Sequence, residues 1–142
     1  MRGKLVWATF WALVGTFLVI IGALFIPAVR ELLMGPLFLL ISGTVFFLLG
    51  TGLIFLAVKQ KVGGMSKRFL LLTGAAALGF VVSVLLHNAV YGLFIYWFGA
   101  DFWDRIGLRD EPFFFFMAIL VCPAAFLVGV VGSIVLAMRR SA

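Results

Sequence analysis

The chain has 142 residues, 65% of them hydrophobic and 11% charged, with a formal net charge of +6. A soluble domain is nearer half apolar and a quarter charged, so a water-soluble globule is excluded. The charge is no nucleic-acid signal, because the basic residues are split among helix ends and form no basic face.

Four continuous apolar runs, residues 5–26, 37–58, 69–97 and 113–138, are each long enough to cross a bilayer. Strands of a membrane barrel would alternate apolar and polar residues, and these runs do not. The expected fold is therefore all-α: one membrane domain over residues 1–142, a four-helix polytopic transmembrane bundle with short loops. Lipid requires every backbone group to be satisfied internally, and helices do that.

Arg2 and Lys4 give a basic start, followed by Trp7 and Trp11 as interfacial anchors. The first run outlasts the ~7–15 residues of a signal-peptide core and lacks a clear cleavage site, so a retained span is expected. Pro27 marks its end, and residues 29–34 read as a tight loop. Pro36 suits the first turn of the second helix. That helix carries Ser42, Gly43, Thr44, Gly50, Thr51 and Gly52, small residues that permit close helix approach.

Residues 59–68 form a basic, glycine-containing loop. The third run would reach about 43 Å at ~1.5 Å per residue, against a hydrocarbon core of ~30 Å. Its end, including Trp97, therefore extends to or beyond the interface, with Gly92 a place for a bend. Within this run Ala75, Gly79, Ser83, His87 and Tyr91 recur every four residues. Ala75, Gly79 and Ser83 are the expected helix-packing positions, with Gly129 and Ser133 on the fourth run.

Residues 101–107 read as a short interfacial amphipathic segment. Phe102, Trp103 and Ile106 share its apolar side, with Trp103 a further anchor. Asp101 can cap it and pair with Arg105, and Gly107 can end it. Asp110 and Glu111 precede Pro112, an acidic start that suits the helix dipole. Pro123 is expected to kink the fourth helix. The phenylalanine clusters, 46–47 and 113–116, cover all sides of a helix turn and read as lipid-facing or packing residues, or as contacts to a partner subunit, a bound pigment or a lipid.

Arg2, Lys4, Lys59, Lys61, Lys67, Arg68, Arg139 and Arg140 are eight of the eleven Lys and Arg residues, and they fall at the termini and the second loop. All five acids fall in the other two loops. The positive-inside rule then predicts cytoplasmic N- and C-termini in a multi-pass cell (plasma) membrane protein. Helices two and four both start at a proline and end in similar octapeptides, 52–59 and 132–139. That fits a parallel tandem repeat of two hairpins, although apolar helices ending in a base resemble one another in any case.

His87, Asn88, Ser83 and Tyr91 are the one polar cluster inside a span. An ionisable group there points to function unless neighbours satisfy it. In the structural reading, neighbouring groups occupy the donor and acceptor of the imidazole and hold the bundle together. In a cofactor reading, His87 is the axial ligand of a haem or chlorophyll-type pigment. Ser83 then leaves room for the macrocycle, and Met117 is the best-placed second haem ligand. In a transport reading, Ser83, His87, Asn88 and Tyr91 line an ion or small-solute path in an oligomer. An enzyme would draw on Asp101, Asp104, Arg105, Arg109, Asp110 and Glu111 near the level of His87, but no motif of catalytic spacing is present. Cys122 is the single cysteine, and no zinc-type cluster exists. No cofactor is favoured and no catalytic or metal residue is assigned. The expectation is a non-enzymatic accessory or interaction subunit, partnered by the lipid bilayer and by other membrane subunits or its own copies, with no nucleic acid.

Overall fold

The computed structural model of the chain describes residues 2–33 and 35–141, and every regular element among them is helical. The order is α1 (Arg2–Phe25), α2 (Pro27–Leu33), α3 (Pro36–Lys59), α4 (Gly64–Phe98), α5 (Phe102–Arg105) and α6 (Pro112–Phe116). A π-helical segment (Met117–Val121) then leads into α7 (Cys122–Ser141). Four stretches are long and apolar enough to cross a membrane: Gly3–Phe25, Leu37–Lys59, Gly64–Phe98 and Pro112–Arg139.

The stretch expected as a tight loop is helical instead. Pro27 starts α2, because a proline at the first helical position gives up only an N–H that had no partner. The ladder passes over it, with Ile26 N–H donating to Gly22 O at 2.9 Å and Arg30 N–H to Ile26 O at 2.8 Å. Met34, the last residue of that expected loop, lies outside the described residues.

α4 is the central helix, packed against α3 on one side and α7 on the other. In lipid, apolar attraction between helices is lost, and close approach has to supply the contact. A Cβ on Gly74 would sit 2.6 Å from Ile54 Cγ1 and 2.9 Å from the Gly50 carbonyl. On the α7 side, a Cβ on Gly129 would lie 2.8 Å from Thr73 N and 3.1 Å from Phe69 O. Gly132 meets the Phe69 ring. α1 packs on α3 and reaches α7 through long side chains: Phe17 stacks on Phe126 at 4.5 Å, with Phe46 beside both. Phe10, Leu13, Leu53, Thr73 and Phe126 are fully buried.

The basic turn after α3 is a Schellman cap. Lys61 adopts φ +52, its N–H donates to Val58 O at 3.1 Å, and Val62 N–H donates to Ala57 O at 3.2 Å. α4 runs unbroken through Gly92 for 35 residues, or about 52 Å. It stops at Gly99, whose φ of +98 with ψ 161 is a backbone state essentially confined to glycine.

Pro123, expected to kink the last helix, follows a change in its hydrogen-bond ladder. Pro123 has no N–H, and its ring crowds the carbonyl four residues back. The preceding ladder widens to π geometry, with Cys122 N–H donating to Met117 O. The two hairpins differ in this respect, since α1 and α3 are regular helices of 24 residues each.

Candidate functional site: a histidine between two carboxylates

The site forms where α4 runs past the start of the last span, at the end of the bundle that carries the acids. Pro112 occupies the first position of α6 and Glu111 its N-cap. Glu111 Oε1 accepts from Phe113 N–H at 2.8 Å, and Oε2 accepts from Phe114 N–H at 2.9 Å. Two of the helix's free donors are thereby satisfied. Asp110 Oδ1 accepts from Glu111 N–H at 2.8 Å, which orients the other carboxylate.

His87 projects from α4 between them. Nδ1 lies 3.1 Å from the Glu111 carbonyl and 3.4 Å from Glu111 Oε2. Nε2 lies 3.3 Å from Asp110 Oδ2. The His87 side chain is 17% exposed, that of Glu111 6% and that of Asp110 45%. The Phe115 ring stands 5.6 Å from the imidazole. Both ring nitrogens face oxygen acceptors. A neutral ring can donate to one of them, whereas a doubly protonated ring donates to both.

The other members of the polar cluster are not brought to this point. Asn88 is exposed, and its Nδ2 donates back to Val84 O at 2.8 Å. Tyr91 stacks on Trp103, with centroids 5.8 Å apart and planes at 9°, and its carbonyl accepts from Trp103 Nε1 at 3.3 Å. Ser83 is buried and interacts with the Cys122 thiol at the start of α7. These residues point to three different neighbours and share no single path.

Among the expected packing positions, Gly79 and Ser83 do face α7. A Cβ on Gly79 would lie 3.2 Å from Cys122 Sγ. Gly129 and Ser133 are buried on the α7 side of the same contact, and the Ser133 hydroxyl has no partner among the described residues. Ala75 is exposed, and Thr73, Gly74, Ala76 and Ala77 are buried in its place. A stripe taken every four residues drifts by about 40° per step around a helix of 3.6 residues per turn, so its early and late members face different ways.

Trp11 and Trp97 are exposed, at 53% and 60%, and Trp7 packs partly against the core. Trp103 differs from the expected anchor. It is buried against Tyr91 and Phe94, and α5 folds back along the projecting end of α4. Ile106, expected on the same apolar side, is half exposed. Asp101 pairs with Arg105 at 3.2 Å but makes no capping bond, and Gly107, at φ +76, follows the helix end.

Cofactor and metal chemistry can be weighed against this geometry. An axial ligand needs a ring nitrogen aimed at the metal, and both nitrogens of His87 face acidic residues of the same chain. Met117 begins the π segment. A metal ion needs converging ligands, whereas Asp110 and Glu111 flank opposite edges of one ring. No group of three His, Cys, Asp or Glu among the described residues is arranged to hold one.

The sequence singled out His87 and placed Asp110 and Glu111 near its level, but not their contact with its ring. The available signal was Asp-Glu-Pro directly before an aromatic run, an N-cap pattern at the level of His87. Comparison with protein-family models, curated proteins and solved structures gives no match.

Proposed function

We propose that the chain is a non-enzymatic, multi-pass subunit of the cell membrane, with both termini cytoplasmic, that acts through contacts of its helices with other membrane helices. The reading is carried by the engagement of the membrane-level polar groups. Both nitrogens of His87 and both carboxylate oxygens of Glu111 face groups of the chain itself. A site for chemistry would hold such groups toward a substrate.

The open helix faces supply the rest of the support. Ala75 is exposed on α4, and a Cβ on Gly15 or Gly43 would meet nothing within 4 Å. Small residues on lipid-facing surfaces are what a second helix needs for close approach. A homo-oligomer and a larger assembly both use such faces.

Native mass spectrometry from lipid nanodiscs tests the reading. A particle heavier than one 15.6 kDa chain is expected, and it should dissociate in Gly43→Leu or Ala75→Leu while the monomer stays folded. A single chain per disc at high protein density would overturn it.

A further inference from the structure

We propose that the cleft at the basic end of the bundle binds the phosphate group of an anionic lipid. The cleft lies between the start of α1, the α3–α4 turn and the last turns of α7, with a volume of about 420 Å³. Val6, Trp7, Val62, Gly63, Ser66 and Leu70 line it. A pocket of this size is in the range that holds small ligands.

Three independent features make it an anion site with an apolar wall. The first is Ser66, which is 9% exposed, lines the cleft, and has a hydroxyl with no hydrogen-bond partner among the described residues. With no partner within the chain, that hydroxyl is free to donate to a ligand in the cleft.

The second is the start of α4. This helix of 35 residues begins without a side-chain cap and without an acid in its first turn. Its first N–H groups and the positive end of its dipole are therefore open to an anion beside Gly63. Gly63 has no side chain to block approach, and a Cβ there would meet nothing within 4 Å.

The third is charge. Lys4, Lys61 and Lys67 are within two residues of lining positions in the chain, and Arg68 follows. The ion pairs among the described residues all lie at the acidic end, so among those residues no carboxylate is paired with this cluster. Basic residues at a membrane surface attract anionic headgroups.

The apolar lining selects between two sources of phosphate. Val6, Trp7, Val62 and Leu70 offer little to inorganic phosphate, but they match the glycerol and first methylenes of a lipid. An anionic phospholipid therefore fits the cleft better than free phosphate does.

Native mass spectrometry of the full chain in neutral detergent tests the assignment, with dioctanoyl phosphatidylglycerol, dioctanoyl phosphatidylcholine and inorganic phosphate as separate probes. One phosphatidylglycerol should bind, in preference to phosphatidylcholine. Ser66→Ala should weaken it about tenfold, the loss expected for one hydrogen bond to a charged group. Ser66→Ile, which fills the cleft, should abolish it. Arg30→Gln removes the same charge from the far end as Lys67→Gln does from the rim, and only Lys67→Gln should weaken binding. Unchanged melting temperatures of Ser66→Ala and Lys67→Gln keep the comparison on binding. Equal retention of the two lipids, or unaltered binding by Ser66→Ala, would overturn the proposal. Displacement of the lipid by excess inorganic phosphate would overturn the lipid assignment in favour of a soluble phosphate.

Discussion

Nδ1 of His87 lies 3.4 Å from Oε2 of Glu111, an oxygen that also accepts the Phe114 N–H. One carboxylate thus caps the start of the last span and faces the histidine of α4. The α4–α7 pair is closed near its other end by Gly129 against Thr73 and Gly132 against Phe69. The central helix is held at both ends of this interface, by polar groups at one and by the absence of side chains at the other.

The two acids should differ in their effect on stability. Glu111→Ala removes a cap and leaves two helix N–H groups without their acceptor, while the Glu111 carbonyl stays beside Nδ1 of His87. We expect a loss of about 2–3 kcal/mol in detergent unfolding. Asp110 is nearly half exposed, so Asp110→Ala should cost under about 1 kcal/mol. Equal losses would contradict the division of roles.

Glycines should separate into two classes. Gly74→Ala and Gly129→Ala force a methyl against neighbouring helix backbone, and each should cost about 1–3 kcal/mol. Gly92→Ala meets open space and should be neutral or stabilising by up to about 1 kcal/mol. Thermal melts of the three variants in one detergent decide the matter, and a costly Gly92→Ala would count against the packing described.

Hydropathy and length were enough to read the four helices from sequence, because lipid leaves a long apolar run few alternatives. The helix faces were harder to read. The stripe through Ala75, Gly79 and Ser83 found the α7 contact at its later members and missed Thr73 and Gly74. Small residues are dense in α4, and spacing alone cannot tell which side meets a neighbour. His87 stood out as polar within a span. Asp110 and Glu111 were placed near its level, but not against its ring, since the contact with Glu111 joins residues 24 apart and depends on how far α4 extends past the start of α6.

Charge asymmetry predicts which side of the membrane each loop faces. In a Cys122→Ser background, an impermeant thiol reagent applied to intact cells should label Ile106→Cys and leave Met65→Cys unlabelled. Both positions are half exposed, so access is not limited by burial. The reverse pattern would invert the topology.

Lys61 holds a left-handed conformation that glycine adopts without a side-chain penalty. Lys61→Gly should raise stability by about 0.5–1 kcal/mol through the α3 cap. A loss of stability in the delipidated protein would show that the side chain contributes more than the backbone strain costs.

The claim that His87 is a structural clamp acting through Glu111 is tested most directly by a double-mutant cycle. Unfolding free energies of the parent, His87→Ala, Glu111→Ala and the double variant would be measured in the same detergent. The account predicts that the two losses overlap, with a coupling energy of about 1 kcal/mol, because both substitutions remove the contact between Nδ1 and Oε2 while the Glu111 carbonyl stays in place. Losses that add to within about 0.5 kcal/mol would contradict it, leaving His87 and Glu111 as neighbours that do not support one another.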